Sequence, residues 1–156
     1  MDRPRFPLSV VMQKRPAASR WQAEVWEAIA VLPGETQGGV RCLLSRDGVE
    51  QWLHPGYAVV LRRDEAEGHY LNVSLEAPRV FVAWRMEGER ALPIEVTTNY
   101  LQASAWMDAG LSVDSVAMPP ELHVELARWV AEHYRPEPKK RIRPRSFLHP
   151  KDRSLG

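Results

Sequence analysis

Metal chemistry needs histidine, cysteine or carboxylate side chains spaced so that they converge, and the five histidines of this sequence offer no such set. His54, His69, His123, His133 and His149 include no pair at the four-residue spacing of one helix face, and neither H-E-x-x-H nor C-x-x-C occurs. His123 and His133 fall on one predicted helix but about three turns apart, too far to share an ion. Burial or solvent exposure as lone imidazoles accounts for them. Nucleophilic chemistry fares no better. There is no G-x-S-x-G elbow, no recognisable signature around the single cysteine Cys42, and no glycine-rich phosphate loop, Gly38-Gly39 reading as a turn. Asp64 with Glu65 and Glu87 with Glu89 lie in polar turns, whereas general acid–base work requires a carboxylate perturbed by burial or a charged neighbour. No catalytic residue, metal site or cofactor is assigned.

What remains is the chemistry of contact. Six tryptophans, Trp21, Trp26, Trp52, Trp84, Trp106 and Trp129, are spread along the chain, and packing is the plain explanation for most of them. Tryptophan and arginine together mark interface anchors, so Trp84, Arg85 and Trp106 are the partner-binding candidates of the folded part. The second group is a basic C-terminal run, Lys139, Lys140, Arg141, Arg143, Arg145, Lys151 and Arg153, opposed by Asp152 alone. Docking on an acidic protein surface and simple solubilisation both suit such a run. Nucleic-acid binding is the weaker reading, because Phe147 is the one aromatic there that could stack on a base.

These residues need a scaffold, and the chain supplies mostly strands. Leu8–Lys14 and Val25–Leu32 have strand character, the latter with Trp26, Ala28, Ala30 and Leu32 as a wholly apolar side. A third strand begins at Val40, with Cys42 expected to be a buried, inert thiol. Arg46-Asp47-Gly48 is a hairpin signal, returning through Val49–Leu53. His54-Pro55-Gly56 then interrupts before a separate strand from Tyr57 to Arg63. His69–Leu75 alternates like a half-exposed strand, and Val80–Met86 and Leu92–Thr98 follow across a turn. Thr98 or Asn99 caps a short helix over Tyr100–Ala109, stopped by Gly110. After an extended piece, Ser112–Met118, Pro120 opens a second helix to Tyr134 whose stripe contains Leu122, Leu126, Trp129, Val130 and His133. The expected class is α+β, mainly β: an antiparallel sandwich or barrel-like meander with two C-terminal helices and a basic tail.

The size of 156 residues, the 44% apolar and 26% charged content and the 13 prolines suit short elements around one core. A single β-rich domain over 1–138 and a flexible tail over 139–156 are expected. No run reaches the roughly 20 apolar residues of a bilayer span, and the opening MDRPRFP lacks the apolar region of a signal peptide, so the expected location is the cytoplasm with no membrane partner. A lone cysteine agrees with a reducing compartment.

Several segments resemble, in order, an uncharacterised bacterial family. They are Val10-Val11-Met12-Gln13-Lys14-Arg15 with Trp21, Trp26 with Ala30-Val31-Leu32-Pro33-Gly34, His69-Tyr70-Leu71-Asn72-Val73-Ser74-Leu75, Pro78-Arg79-Val80-Phe81-Val82, Val96-Thr97-Thr98-Asn99-Tyr100, and Val116-Ala117-Met118-Pro119-Pro120 with the basic ending. That family is a domain of unknown function whose genes accompany those of molybdenum-dependent formate dehydrogenase, and it has no established catalytic residues. The resemblance implies a non-catalytic accessory protein that binds a formate dehydrogenase subunit or maturation factor. The rival from another class is a carrier or enzyme holding a molybdopterin-type cofactor, with Arg62, Arg63 or Arg85 on its phosphates. Nucleic-acid binding through the tail is the third.

Overall fold

The computed structural model describes residues 3–136, so the expected tail, with Lys139, Lys140, Arg141, Arg143, Arg145 and Phe147, lies outside the described residues. Strands β1 (Arg5–Pro16), β2 (Glu24–Pro33), β3 (Arg41–Arg46) and β4 (Val49–Val60) form one antiparallel sheet in the order β2-β1-β4-β3. A 3-10 turn (Arg63–Glu65) leads into α1 (Ala66–Val73). Strands β5 (Arg79–Glu87), β6 (Arg90–Thr97) and β7 (Ser112–Ala117) form the second antiparallel sheet, ordered β6-β5-β7. Helix α2 (Tyr100–Asp108) joins β6 to β7, and α3 (Pro120–His133) follows β7. The class is thus α+β, mainly β, and the two sheets stack in a sandwich-like way without closing into a barrel.

The main core collects one face of each sheet. Leu8, Val10 and Met12 of β1 meet Val80 and Val82 of β5, Val96 of β6 and Val116 of β7, and the stripe Leu122, Leu126, Trp129 and Val130 of α3 joins them. The intervening residues of β5, Phe81 and Ala83, face a second cluster with Ala103 and Trp106 of α2. Alternation along one strand therefore buries both faces of the smaller sheet, under different partners. Asp47 and Gly48 both take positive φ, 55° and 80°, the conformation of a tight hairpin turn between β3 and β4.

Bulges account for two of the differences from the sequence reading. Met12 pairs with Ala28 while Val11 pairs with Ala30, so Ile29 is an extra residue in β2. The inward face shifts there: Trp26, Ala28 and Val31 are buried, and Leu32 is exposed. The expected break at His54-Pro55-Gly56 is also a bulge. β4 runs through it, with Val10 opposite His54 and Leu8 opposite Tyr57, and Gly56 at φ +98° absorbs the extra residue. The expected strand over His69–Leu75 is helix α1. Its buried residues Ala66, Gly68, His69 and Asn72 follow a helical period, but they are small or polar, so hydrophobicity hid the period and displayed an accidental alternation instead. Ser112–Met118, expected only as an extended piece, provides the edge strand β7. Cys42 is exposed, because β3 has solvent on both faces.

Candidate functional site

A polar node lies where α1 meets the ends of β5 and β6. Asn72 Nδ2 donates to Arg79 O at 2.7 Å and to Thr98 O at 2.9 Å, and its Oδ1 accepts from Arg79 N at 2.9 Å. One amide side chain thus closes three backbone groups that would otherwise be left without partners in a buried setting. Asn99 caps α2 by accepting from Leu101 N and Gln102 N at 3.0 and 3.3 Å. The approach of α1 to this cap requires Gly68, where a Cβ would fall 1.6 Å from Asn99 Oδ1. His69 is fully buried, shares a 2.9 Å hydrogen bond between Nδ1 and Thr98 Oγ1, and sets its ring edge-on to Trp129 at 5.6 Å. Desolvation pulls its pKa down to about 4 against a smaller opposing contribution from the Thr98 backbone, so the ring is neutral at pH 7. Its Nε2 is buried with no partner among the described residues. The node joins His69–Leu75 and the adjacent Pro78–Val82 to Val96–Tyr100, more than twenty residues beyond α1 along the chain. It acts as a latch that orients α1 and, through Trp129, the last turn of α3.

That last turn borders a cleft of about 410 Å³ between the start of β1, the Leu61–Asp64 turn and α3. Arg3, Arg62 and Arg63 line it together with one acid, Asp64, over walls that include Leu61, Trp129 and His133. The Leu61 N–H donates to Pro4 O at 3.0 Å, fixing two of the walls to each other. The ring of His133 stacks on Trp129 with centroids 4.8 Å apart, and His133 Nδ1 lies 2.9 Å from Trp129 O. A carbonyl can only accept, so the Nδ1 carries the proton and Nε2 is left for other partners.

The second surface is the outer edge of the larger sheet. β3 pairs only with β4, and every residue of it is exposed. Val40 and Leu43 are about half exposed, at 49% and 48%, and Cys42 lies between them. At the neighbouring end of the sheet, in the turn from β1 to β2, Trp21 is 88% exposed with Arg20 near its ring. The Asp47-Gly48 turn reaches the same end, since a Cβ on Gly48 would lie 3.1 Å from Pro16 Cγ.

The residues singled out in the sequence are dispersed. Trp106 is buried under α2 against Phe81, so it offers no ring to a partner. Trp84 is half-buried and donates its indole N–H to Asp114 Oδ2 at 2.7 Å. The same oxygen accepts from Ala28 N at 2.8 Å, so Asp114 ties β7 to β2 beside the Ile29 bulge. Arg85 is exposed and paired with Glu87 at 3.2 Å. Arg62 and Arg63 line the cleft, while Arg85 does not. Arg3, His133 and the exposed β3 edge were missed. The first two come from opposite ends of the described chain, and only the topology brings them together. β3 has an apolar centre, Cys42-Leu43-Leu44, like that of a buried strand, and hydropathy alone does not place it at the sheet edge. Among the described residues no group of three or more His, Cys, Asp or Glu side chains is placed to hold a metal ion, and no helix is long and apolar enough to cross a membrane.

Residues 7–143 match the model of a family described as a protein of unknown function, DUF3305. No curated protein and no solved structure matches the chain.

Proposed function

The chain belongs to the DUF3305 family of proteins of unknown function, and we propose that it is a non-catalytic accessory protein of the cytoplasm. In this reading it docks a component of a molybdenum-dependent formate dehydrogenase system during maturation or assembly. The observation that carries the docking half is the β3 edge. Among the described residues the outer side of β3 has no paired strand, and the flanking apolar side chains Val40, Leu43 and Leu44 are each at least one-third exposed. Proteins normally blunt such an edge with charge, brevity or bulges, and β3 carries Arg41 and Arg46 at its ends and a bulge at Leu43, but its centre Cys42-Leu43-Leu44 is apolar and uncovered. An open edge with apolar side chains suits the addition of a strand from a partner, where main-chain hydrogen bonds give affinity and side-chain pockets give specificity. Trp21 at the same end of the sheet adds the large aromatic area typical of an interface anchor. The formate dehydrogenase half rests on the resemblance of the segments quoted above.

The test is affinity purification of the tagged chain at native expression, compared with the L43K/L44K variant. Both leucines are exposed, so the variant keeps its fold, which its urea midpoint verifies. Recovery of a dehydrogenase subunit or maturation factor with the parent chain, and its loss with the variant, is expected. Recovery of neither class of protein with the parent chain counts against the whole reading, and undiminished recovery with the variant against the β3 edge.

A further inference from the structure

We propose that the cleft between the start of β1, the Arg62–Asp64 turn and the last turn of α3 is a binding site for a phosphorylated heterocyclic small molecule. Its polar side is cationic and unsatisfied. Among the described arginines Arg15, Arg85 and Arg128 pair with a carboxylate, at 2.6, 3.2 and 2.8 Å, and most others do not, so what sets this cleft apart is the gathering of three around one concavity. Among the described residues Arg3, Arg62 and Arg63 pair with none, not even with Asp64 in the same cleft. Three guanidinium forks around one concavity suit a ligand group with several anionic oxygens, which each fork can meet in a bidentate way. The other side is aromatic. His133 stacks on Trp129, and its Nε2 is free to bond a ligand atom because Nδ1 is committed to Trp129 O. A planar ring fits beside that stack, while the phosphate group reaches the arginines.

Size and preorganisation point the same way. A volume of about 410 Å³ falls within the range of small-molecule sites and holds a single nucleotide-sized ligand. The backbone walls are fixed from behind by the Leu61–Pro4 hydrogen bond and by the buried contact of Trp129 with His69, so the ordering left to binding is that of the three exposed arginine side chains. A nucleic-acid polymer would need a continuous basic track with several exposed stacking rings, whereas this cleft offers a ligand the partly open ring of His133, with Trp129 buried beneath it. This site is separate from the β3 edge, and the proposal stands or falls independently of the docking reading.

The experiment is calorimetric titration of the full chain with inorganic pyrophosphate, adenosine and guanosine diphosphates, and a thymidine dodecamer. Saturable binding of one nucleoside diphosphate per chain is expected, at least about tenfold tighter than pyrophosphate, given the added ring contact. R62S/R63S is expected to weaken it by roughly tenfold or more for each guanidinium removed. R3S gives a second, independent weakening, and H133A is expected to erase the preference over pyrophosphate. The arginines are exposed, so unchanged urea midpoints identify the variants as folded. The proposal is overturned by no saturable binding below millimolar concentration, by pyrophosphate binding as tightly as the nucleoside diphosphates, or by affinity unchanged in R62S/R63S and R3S. Tighter binding of the dodecamer than of either nucleotide would also overturn it, in favour of nucleic acid.

Discussion

Acidification should weaken this fold through His69 in a way that one substitution removes. The imidazole has an ordinary pKa of 6.5 and is held down to about 4 by burial. A basic group whose pKa is depressed on folding binds fewer protons in the native state than in the unfolded one. Well above pH 6.5 both states are neutral and there is no penalty, which appears as pH falls through 6.5 and grows toward 4. Between pH 7 and pH 4.5 it amounts to roughly 2.5 kcal/mol for a depression of this size. That is a large part of the stability of a small domain. His54 is also buried and depressed, first by desolvation and then by the charge of Arg90, and carboxylates add their own dependence. The informative quantity is therefore the difference between the parent chain and His69→Gln, measured by urea denaturation at pH 7, 6, 5 and 4.5. The substitution costs stability at pH 7, because the bond to Thr98 and the packing on Trp129 change. The gap should then shrink by about 2 to 3 kcal/mol on acidification, since only the parent chain pays the protonation cost. Parallel curves across this pH range would refute the assignment of His69 as a neutral, desolvated group.

Two substitutions probe the rest of the node. Gly68→Ala puts a Cβ within 1.6 Å of Asn99 Oδ1, so the cap of α2 or the seat of α1 must move, and a loss of about 2 to 4 kcal/mol in urea denaturation is expected. A loss below about 0.5 kcal/mol would show that this approach is not close. Asn72→Leu leaves Arg79 N, Arg79 O and Thr98 O without their side-chain partner, and about 3 kcal/mol or more should be lost. Near-parent stability in the same assay would contradict the latch.

The legible parts of this chain were those with a local cause. Asp47-Gly48 needs positive φ, Asn99 has the short acceptor of a helix cap, Pro120 fits the first turn of α3, and Leu122, Leu126, Trp129 and Val130 repeat at helical spacing. The illegible parts have causes elsewhere in the fold. α1 buries Gly68, His69 and Asn72 because Asn99, Thr98 and Arg79 await them, and no hydropathy window contains that information. Ile29 is an extra residue set by the partner strand, so alternation read along β2 misassigned Leu32, and Cys42, expected buried as most free cysteines are, is exposed because β3 is a sheet edge open on both faces. Asp114 matters only because β7 lies against β2. The cleft illustrates the same limit. Arg62 and Arg63 are named from the sequence, as alternatives with Arg85, only under the rival cofactor reading, and Arg3 and His133 join them only through the packing of β1 and α3.

The docking reading is tested most directly from Cys42, the single cysteine, exposed in the middle of the edge that is proposed to receive the partner. The folded chain labelled there with a short photoactivatable crosslinker and irradiated in extract of its native cells should give one dominant adduct. Mass spectrometry should identify a formate dehydrogenase subunit or maturation factor in it, and unlabelled chain in excess should suppress it. Adducts confined to unrelated proteins, or none at all from a fully labelled Cys42, would contradict the account.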